Sequence, residues 1–355
     1  MAKIVVGLSG GVDSAVAAYL LKQAGHEVVG VTLRTWESSD ETEGRCCEID
    51  DARSVAGALD IPYHVFNCTL DFSERVIVPF IREYLRGRTP NPCVVCNRTV
   101  KWEKMLYAAQ ILQAEFVATG HYASVIRLPN GRWTVQKALH AEKDQTYMLY
   151  RLTQEQLAAT RMPLGGLSKT DVRRIAAQAG LPVAAKKDSQ EICFIPDGSY
   201  AEFIAASAEG SLPGEGWFVD EDGNRLGRHR GIIHYTVGQR RGLGLAMGHH
   251  VYVKELRPEK NEVVIGDEQS LYTGSVVCED VCYMSIPGLE EEEVLPCSAR
   301  IRYRHELQEA LLEALCPGRV RVRFRDPVRA PAPGQSAVFY DETGCVIGGG
   351  IITGE

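Results

Sequence analysis

The chain has 355 residues, of which 45% are hydrophobic and 24% charged, and its formal net charge is −7. This length predicts two or three domains, and the charge argues against indiscriminate nucleic-acid binding while permitting a local basic face. The chain has no apolar run of the ~20 residues that a membrane span needs and no basic-then-apolar signal segment, so we expect a cytoplasmic protein without membrane contact. Eleven cysteines then indicate thiol, sulfur or metal chemistry rather than a disulfide framework.

The first informative stretch is a strand, a glycine-rich loop and a helix at the N-terminus. An apolar strand from Lys3 leads into the string Gly7-Leu8-Ser9-Gly10-Gly11-Val12-Asp13-Ser14, and a helix is predicted over 12–24. The paired glycines let the backbone approach a ligand at positive φ, and amides and hydroxyls at the helix start can cradle an anion. The sequence has no Gly-Lys-Ser/Thr triplet, so this is not a Walker loop. Asp13 suits Mg²⁺ on a pyrophosphate leaving group; alternatively, Asp13 or Ser14 caps the helix.

Alternating strands and helices follow this loop. Strands are predicted over 27–33, 62–67 and 116–120, and helices over 51–59, 72–86 and 100–113. Right-handed crossovers at this spacing predict a parallel sheet covered on both faces, a doubly wound α/β fold. Because ligands bind beyond the carboxyl ends of such strands, we expect the loop at 9–14, Leu33 and the turn at Gly120 around one crevice.

A second stretch, over 88–98, combines two prolines with a Cys-x-x-Cys pair. The prolines predict an exposed turn without a helix, and the next helix is predicted to begin near Val100. Cys96 would then lie just before a helix N-terminus, where the thiolate is favoured. Cys93 and Cys96 alone are compatible with half a zinc site, a redox pair or two ligands of an iron–sulfur cluster. A zinc site needs a second such pair, which the sequence lacks.

Further candidate site residues follow the strand over 116–120. His121 is either a structural residue or a ligand-facing one. A hairpin is then predicted from strands over 122–127 and 133–137. Lys143 and Gln145 then offer hydrogen-bond donors near the crevice.

The next segment contains a third notable cysteine. A capping box at 168–171 predicts the start of a helix that runs to residue 179, which we interpret as structural. Lys186 and Lys187 precede Cys193 in a polar segment and favour its thiolate.

The composition changes near residue 208, where glycine and proline become frequent and the crossover pattern ends. We predict domains over 1–207, 208–271 and 272–355, the last two built from short strands. In the segments 300–304 and 319–325, arginines alternate with apolar or aromatic residues. On a strand, all arginines of one segment would share a face, which favours RNA contact over a merely solvated strand.

Taken together, these strings resemble the bacterial tRNA-specific 2-thiouridylases over essentially the whole chain. The loop at 7–14 alone would also admit enzymes similar to GMP synthetase or argininosuccinate synthetase. The strings that make the resemblance specific are Asn91-Pro92-x-x-x-Cys96-Asn97, Ala118-Thr119-Gly120-His121-Tyr122, Lys143-Asp144-Gln145, Ile192-Cys193-Phe194, His234-Tyr235-Thr236-x-Gly238-Gln239-Arg240 and Arg302-Tyr303.

The resemblance implies a pyrophosphate-loop ATP pyrophosphatase domain, a small β-rich adaptor and a C-terminal tRNA-binding β-barrel. It implies that Cys96 is the nucleophilic thiol and that Cys193 carries the incoming persulfide. The implied ATP-binding residues are Gly7, Leu8, Ser9, Gly10, Gly11, Val12, Asp13, Ser14, Leu33 and Gly120. Those implied to lie against the target base are Asn91, Pro92 and Cys93. The residues implied to contact tRNA are His121, Lys143, Asp144, Gln145, Arg302, Tyr303 and Gln335.

The implied activity replaces the C2 oxygen of the wobble uridine (U34) by sulfur in tRNAs for Lys, Glu and Gln. ATP and Mg²⁺ would adenylate that oxygen, so that AMP becomes the leaving group. The implied partners are the tRNA anticodon stem-loop and a sulfur donor such as a cysteine desulfurase or a sulfur-relay protein. The unpaired uridine would leave its stack to reach the crevice.

One departure from the family leaves the sulfur chemistry open. Many members have Asp where this chain has Cys93, so Cys93, Cys96 and Cys193 are also compatible with three ligands of a 4Fe-4S cluster. The favoured interpretation is persulfide chemistry with Cys93 as a bystander. The pair Cys46-Cys47 is either an auxiliary sulfur carrier or without a role. Alternatives from other classes are a non-catalytic RNA-binding protein and a small-molecule adenylating ligase.

Overall fold

The computed structural model describes residues 1–36, 49–187, 192–195, 199–207 and 212–354. Its first strands are β1 (Lys3–Gly7), β2 (Glu27–Arg34), β3 (Tyr63–Asn67), β4 (Phe116–Ala118), β5 (Ala123–Arg127), β6 (Trp133–Lys137) and β7 (Thr160–Arg161). Its α-helices are α1 (Val12–Gln23), α2 (Ile49–Ala58), α3 (Thr69–Phe72), α4 (Val78–Leu85), α5 (Pro92–Cys96), α6 (Trp102–Ile111), α7 (Gln154–Ala158), α8 (Lys169–Gln178) and α9 (Tyr200–Ser207). π-helical turns over Ser73–Ile77 and Asn97–Lys101 join α3 to α4 and α5 to α6.

The predicted parallel sheet is confirmed. Five strands pair in the order β3-β2-β1-β4-β7, all parallel. In the central β1, Ile4, Val5 and Val6 are at most 1% exposed, because helices cover both faces. Val5 packs in one hydrophobic core with Trp102 of α6, whereas Ile4 and Val6 pack in a second core against α1. This is the doubly wound arrangement, and it places the loop after β1 at the carboxyl edge of the sheet.

The predicted hairpin is also confirmed. β5 and β6 are antiparallel, with Val125 opposite Val135. The hairpin reaches the C-terminal part of the chain: the Thr134 hydroxyl donates to the Val346 carbonyl oxygen (2.7 Å), and Arg132 Nε donates to that of Met284 (2.8 Å).

A small sheet follows, formed by β8 (Gly216–Val219), β9 (Arg225–His229), β10 (Tyr252–Arg257) and β11 (Glu262–Gly266). The strands pair in the order β10-β11-β8-β9. Turns join β8 to β9 and β10 to β11, and each of these pairs is antiparallel.

The last strands close into a barrel. They are β12 (Tyr272–Tyr283), β13 (Val294–Arg300), β14 (Gln308–Cys316), β15 (Arg319–Arg329), β16 (Ser336–Tyr340) and β17 (Val346–Ile352), paired in the order β12-β15-β14-β13-β16-β17. A glycine run in β17 lets the barrel approach the first part of the chain closely. A Cβ on Gly349 would lie 2.6 Å from the ring of Tyr150, so no larger residue fits at that contact.

One of the two arginine segments differs from its prediction. β13 ends at Arg300, and residues 301–305 form a turn rather than a strand. Arg302 is directed inward, and its Nη2 donates to the carbonyl oxygens of Val237 (2.9 Å) and Ala330 (2.6 Å). The prediction of one arginine face over 300–304 was therefore wrong, because the chain turns where the alternation begins.

The second arginine segment alternates as predicted. In β15, Arg321, Arg323 and Arg325 are exposed, while the residues between them are buried in the barrel. These arginines form ion pairs with Glu313 and Glu309 of the neighbouring β14. Their charge is therefore largely balanced within the sheet, and their contact with RNA stays a prediction.

The domain boundaries at 207/208 and 271/272 stay a prediction.

The described residues contain no helix that is long and apolar enough to cross a membrane.

Candidate nucleotide and thiol site

The loop between β1 and α1 leaves a helix start facing the carboxyl edge of the sheet. Gly10 has φ of +70°, which favours glycine, whereas Gly11 at the N-cap position has φ of −99°. Ser14 Oγ donates to the Gly11 carbonyl oxygen (3.0 Å) and accepts from the Ser9 amide (3.2 Å). Among the described side chains none caps α1, so the alternative that Asp13 or Ser14 caps this helix is wrong. The first-turn amides are therefore arranged to meet an anion.

The Asp13 carboxylate has two strong donors. Lys169 Nζ lies 2.7 Å and 2.9 Å from its two oxygens, and the Tyr122 hydroxyl donates to Oδ1 at 2.7 Å. The sequence pattern predicts Lys169 only as part of a capped helix. The capping box of Ser168 and Asp171 is confirmed, but it also fixes the start of α8, which aims Lys169 at the loop. No local pattern signals this contact, since 156 positions separate the two residues.

Gly120 packs directly on the loop. A Cβ on Gly120 would lie 2.6 Å from both the Asp13 carbonyl carbon and the Ser14 nitrogen. Such a contact is impossible without moving backbone, so glycine is required by the close approach of the chain after β4 to the first turn of α1. The predicted binding of ATP at Gly120 and Leu33 stays a prediction.

A second lysine, Lys186, contacts the loop at Gly10. Lys186 Nζ donates to the Gly10 carbonyl oxygen (3.1 Å) and to Asp51 at the start of α2 (2.5 Å). Burial lowers the pKa of Lys186. Lys169 and Lys186 therefore contact the loop at Asp13 and at Gly10, whereas the sequence pattern predicts a role for Lys186 only beside Cys193.

The Cys-x-x-Cys segment is helical, which corrects the prediction of a turn. α5 begins at Pro92, and the Asn91 side chain caps it by accepting from the amides of Cys93 (3.1 Å) and Val94 (3.4 Å). Proline is tolerated here because the first helical position has no intrahelical use for its amide. Cys96 is thus the last residue of α5 rather than a residue ahead of a helix, and the first turn holds Cys93. The argument for a Cys96 thiolate from a helix N-terminus therefore fails.

A cavity of about 860 Å³ connects these elements. It brings Asp13 of the loop together with Cys93 and Cys96 of α5 and with Cys193. The other predicted site residues that line it are Ser9, Gly11, Val12, Pro92, His121, Lys143, Asp144, Gln145 and Tyr303. Its far wall comes from the barrel, through Arg300 and the turn over 303–306. This volume lies within the range of small-ligand sites in proteins.

The cavity lining is more basic than the chain as a whole. Its cationic residues are Lys101, Lys143, Lys186, Lys187, Arg300 and Arg304, and its acidic residues are Asp13, Glu142, Asp144 and Glu306. Six positive against four negative side chains leave an excess of positive charge, in a chain of net charge −7. A polyanionic substrate is therefore attracted to this part of the surface.

His121 is a neutral side chain in the wall of the cavity. Its Nδ1 lies 2.8 Å from the Thr119 hydroxyl, and its ring centroid lies 5.5 Å from that of Trp102. Burial, and then the charge of Lys101, lower the pKa of His121 to about 3. At neutral pH the imidazole is therefore uncharged and suited to a hydrogen bond or to stacking rather than to a phosphate ion pair.

A buried ion pair joins the cavity to the barrel. Asp144 is 2% exposed, its carboxylate accepts from the Thr146 hydroxyl (2.8 Å), and Arg300 Nη1 lies 3.4 Å away. The Tyr303 ring, three residues beyond Arg300, also lines the cavity, and burial raises its hydroxyl pKa. Asp144 thus positions neighbouring residues, while its predicted contact with tRNA stays a prediction.

Several predicted site residues lie outside the cavity lining. They are Gly7, Leu8, Gly10, Ser14, Leu33, Asn91, Gly120, Arg302 and Gln335. Gln335 Nε2 donates to the Thr89 carbonyl oxygen at 3.0 Å, which connects β16 to the segment before α5. The roles predicted for these residues stay predictions, and for Asn91 and Gly120 the structure adds a positioning role.

The three cysteines of the cavity are also the predicted ligands of a 4Fe-4S cluster. Within the described residues no group of three or more His, Cys, Asp or Glu side chains could hold a metal ion. Cys93, Cys96 and Cys193 line one cavity without forming such a group, and the alternative of a 4Fe-4S cluster on these three thiols stays a prediction. Cys46-Cys47 lies outside the described residues.

Three family profiles match the chain in succession. They are described as "tRNA methyl transferase HUP domain" over 2–197, "tRNA methyl transferase PRC-barrel domain" over 202–267 and "Aminomethyltransferase beta-barrel domain" over 278–352. A solved structure, the U34-tRNA thiolase NcsA of Methanococcus maripaludis with its 4Fe-4S cluster, is 19% identical with a TM-score of 0.36, covering 58% of this chain and 65% of its own.

Curated relatives match from end to end. The "tRNA-specific 2-thiouridylase MnmA" of Lachnoclostridium phytofermentans is 50% identical over 360 residues, which cover 99% of both chains. The protein of the same name from Clostridium perfringens is 47% identical over 357 residues, covering 99% of this chain and 98% of its own. The profile descriptions mention methyl transfer, whereas both full-length relatives are named as thiolating enzymes. At this identity and coverage, the chain belongs to the family of tRNA-specific 2-thiouridylases.

Proposed function

We propose that this chain is an ATP-dependent tRNA sulfurtransferase that converts the wobble uridine of tRNAs for Lys, Glu and Gln to 2-thiouridine. The observation that carries the proposal is one cavity lined by the loop residue Asp13 and by the thiol residues Cys96 and Cys193. Both halves of the chemistry, activation of a carbonyl oxygen and delivery of sulfur, need such a shared site.

The loop performs the first step. The amides at the start of α1 and the Ser9 hydroxyl would hold phosphate oxygens, and the Asp13 carboxylate would be a ligand for the Mg²⁺ that accompanies ATP. The C2 oxygen of the uridine attacks the α-phosphorus, and the bond to pyrophosphate breaks. AMP then leaves C2 far more readily than oxide would, which makes that carbon electrophilic.

The thiols perform the second step. The terminal sulfur of a persulfide on Cys193 attacks C2, AMP departs, and the uridine is joined to Cys193 through a disulfide. The Cys96 thiolate then attacks the Cys193 sulfur, which releases 2-thiouridine and leaves a Cys96–Cys193 disulfide. In the variant order, Cys96 first frees hydrosulfide from the persulfide, and the hydrosulfide attacks C2. Either way, two external thiol groups reduce the Cys96–Cys193 disulfide and become a disulfide themselves. A protein such as a cysteine desulfurase or a sulfur-relay protein then transfers a new persulfide sulfur to Cys193.

The cavity also supports recognition of an unpaired nucleotide. Its basic excess attracts phosphates, and His121 and Tyr303 offer rings for stacking against a flipped base. Asn91, Pro92 and Cys93 at the start of α5 lie against the base. Lys143, Asp144, Gln145, Arg302 and Gln335 belong to the tRNA-contacting side, and the barrel sets the register on the anticodon stem-loop.

Mass spectrometry of nucleosides tests this function. Unmodified tRNA is incubated with the protein, ATP, Mg²⁺ and a sulfide source, then digested and analysed for 2-thiouridine. We expect full conversion by the unmodified chain, loss of product in Cys193→Ser and Cys96→Ser, and no change in Cys316→Ser, an exposed thiol on β14 that serves as a matched control. Full thiolation by Cys193→Ser would contradict the proposed sulfur path and favour an RNA-binding role for the chain.

Two further measurements separate the remaining alternatives. Pyrophosphate release should require substrate tRNA, whereas a small-molecule ligase would release AMP without it. Anaerobically purified protein should be colourless, iron-free and active. Iron in proportion to activity, lost together in Cys93→Ser, would instead establish the route through a 4Fe-4S cluster on Cys93, Cys96 and Cys193.

A further inference from the structure

A short turn connects the barrel with α5. The residues Thr146–Met148 form a 3-10 helical turn in which Thr146 and Tyr147 are fully buried. The Tyr147 hydroxyl donates to the carbonyl oxygen of Ser336, the first residue of β16, at 2.8 Å. The same hydroxyl lies 3.4 Å from Gln335 Oε1. The turn is therefore anchored to the barrel through Tyr147.

This turn also holds both ends of α5. The Met148 carbonyl oxygen accepts from Asn97 Nδ2 at 2.9 Å, and the Met148 sulfur lies 3.5 Å from Asn91 Nδ2. Asn91 caps the first turn of α5, and Asn97 directly follows Cys96, the last residue of the helix. Asn97 is 3% exposed, and a buried amide that loses its acceptor is costly. The helix is thus fixed to a turn that is itself fixed to the barrel.

We propose that Tyr147 is a positioning residue for the thiol chemistry: through the turn, it sets the direction in which α5 presents Cys96 to the cavity. This inference rests on the proposed function, since it concerns the same thiol. Cys96 attacks the Cys193 sulfur only when the reacting atoms are aligned, and a displacement of about 1 Å costs on the order of 100-fold in rate. Without the Tyr147 hydroxyl, the turn keeps the packing of the ring but loses its hydrogen bond to β16.

A neighbouring tyrosine provides a matched control. Tyr150 is also fully buried, and its hydroxyl also reaches Ser336, at 3.1 Å from Oγ. Its ring packs against Gly349 of β17. Tyr147→Phe and Tyr150→Phe therefore each remove a buried hydroxyl from the contact between the barrel and the first part of the chain, but only Tyr147 belongs to the turn that holds α5.

Single-turnover thiolation measures the effect on the reaction. Protein whose Cys193 has been loaded with persulfide by a cysteine desulfurase and cysteine is mixed with ATP, Mg²⁺ and increasing concentrations of tRNA, and 2-thiouridine is quantified by mass spectrometry. We expect Tyr147→Phe to lower the maximal rate by roughly 10- to 100-fold and to leave the half-saturating tRNA concentration unchanged. Tyr150→Phe should react like the unmodified chain. Asn97→Leu, which breaks the other end of the connection, should resemble Tyr147→Phe.

Hydrogen exchange and urea unfolding separate positioning from stability. The amides of residues 93–97 should exchange faster in Tyr147→Phe than in Tyr150→Phe, while the urea midpoints of the two variants fall by similar amounts. An unchanged maximal rate in Tyr147→Phe overturns the inference, and so does an equal loss of rate in both tyrosine variants. A raised half-saturating tRNA concentration with an unchanged maximal rate would assign Tyr147 to tRNA binding and overturn it as well. Failure of the unmodified chain to thiolate tRNA would instead count against the proposed function.

Discussion

Gly120 packs so closely on the loop that its lack of a side chain sets the position of the loop backbone. A side chain there would meet the backbone of Asp13 and Ser14 at 2.6 Å, and backbone cannot move aside without changing the helix start. We expect Gly120→Ala to fold but to lose about 100-fold in tRNA-dependent pyrophosphate release, the scale of a 1 Å misplacement. The control is Gly57→Ala on α2, where the added Cβ meets nothing within 4 Å. Equal activity of the two variants would contradict this role of Gly120.

Because the buried His121 has a lowered pKa, we expect the stability of the chain to depend on pH. Its pKa is about 3 in the folded chain and near 6.5 when exposed, so only the unfolded chain binds a proton between these values. His121 therefore lowers the free energy of unfolding progressively as the pH falls from about 6.5 towards 3, and contributes no pH dependence above that window.

Urea unfolding at several pH values between 7 and 4 measures this effect. The loss of stability on acidification should be smaller in His121→Asn than in the unmodified chain. His64→Asn, at an exposed position of β3, should behave like the unmodified chain. Parallel curves for His121→Asn and the unmodified chain would show that His121 titrates normally in the folded state.

At the scale of elements, α5 connects local structure to chemistry. Its cap is the side-chain oxygen Oδ1 of Asn91, which accepts from two first-turn amides. Asn91→Ala should cost about 1 kcal/mol of stability and reduce thiolation, because the start of α5 sets the direction of Cys93 and Cys96. Asn91→Asp keeps an acceptor at the same place and should retain the stability. Urea midpoints and 2-thiouridine yields of both variants check this, and equal stability of Asn91→Ala would argue against the cap.

The same element shows what the sequence could and could not predict. The parallel sheet, the hairpin and the capped start of α8 follow from periodicity and spacing along one stretch of chain, and all three were predicted. Pro92 is compatible both with a turn and with the first position of a helix, and only the packing of α5 decides between them. The pairing of Lys169 with Asp13 depends on how α8 lies against α1, which no pattern within either segment encodes. The thiols likewise meet in one cavity only through the fold.

At the scale of the whole molecule, Asp144 and Arg300 connect the barrel to the cavity. Because both are buried, removing one leaves the other as an uncompensated charge. We expect Asp144→Asn and Arg300→Met each to cost about 3 kcal/mol of stability, and the double variant to cost clearly less than their sum. The control is Lys254→Met, which breaks an exposed pair with Glu221 and should cost under about 1 kcal/mol. Strictly additive losses in urea unfolding would show that the two residues do not interact.

The barrel supplies the far wall of the cavity, so the cavity is completed only when the last part of the chain has been synthesised. The loop, α5 and Cys193 leave the ribosome before the turn over 303–306 exists. At ~5–20 residues per second, the nascent chain spends roughly 5 to 20 seconds with a nucleotide loop and its thiols but with one side open to water. We therefore expect a chain that ends before this turn to release no pyrophosphate with tRNA, since its cavity lacks the wall formed by residues 303–306.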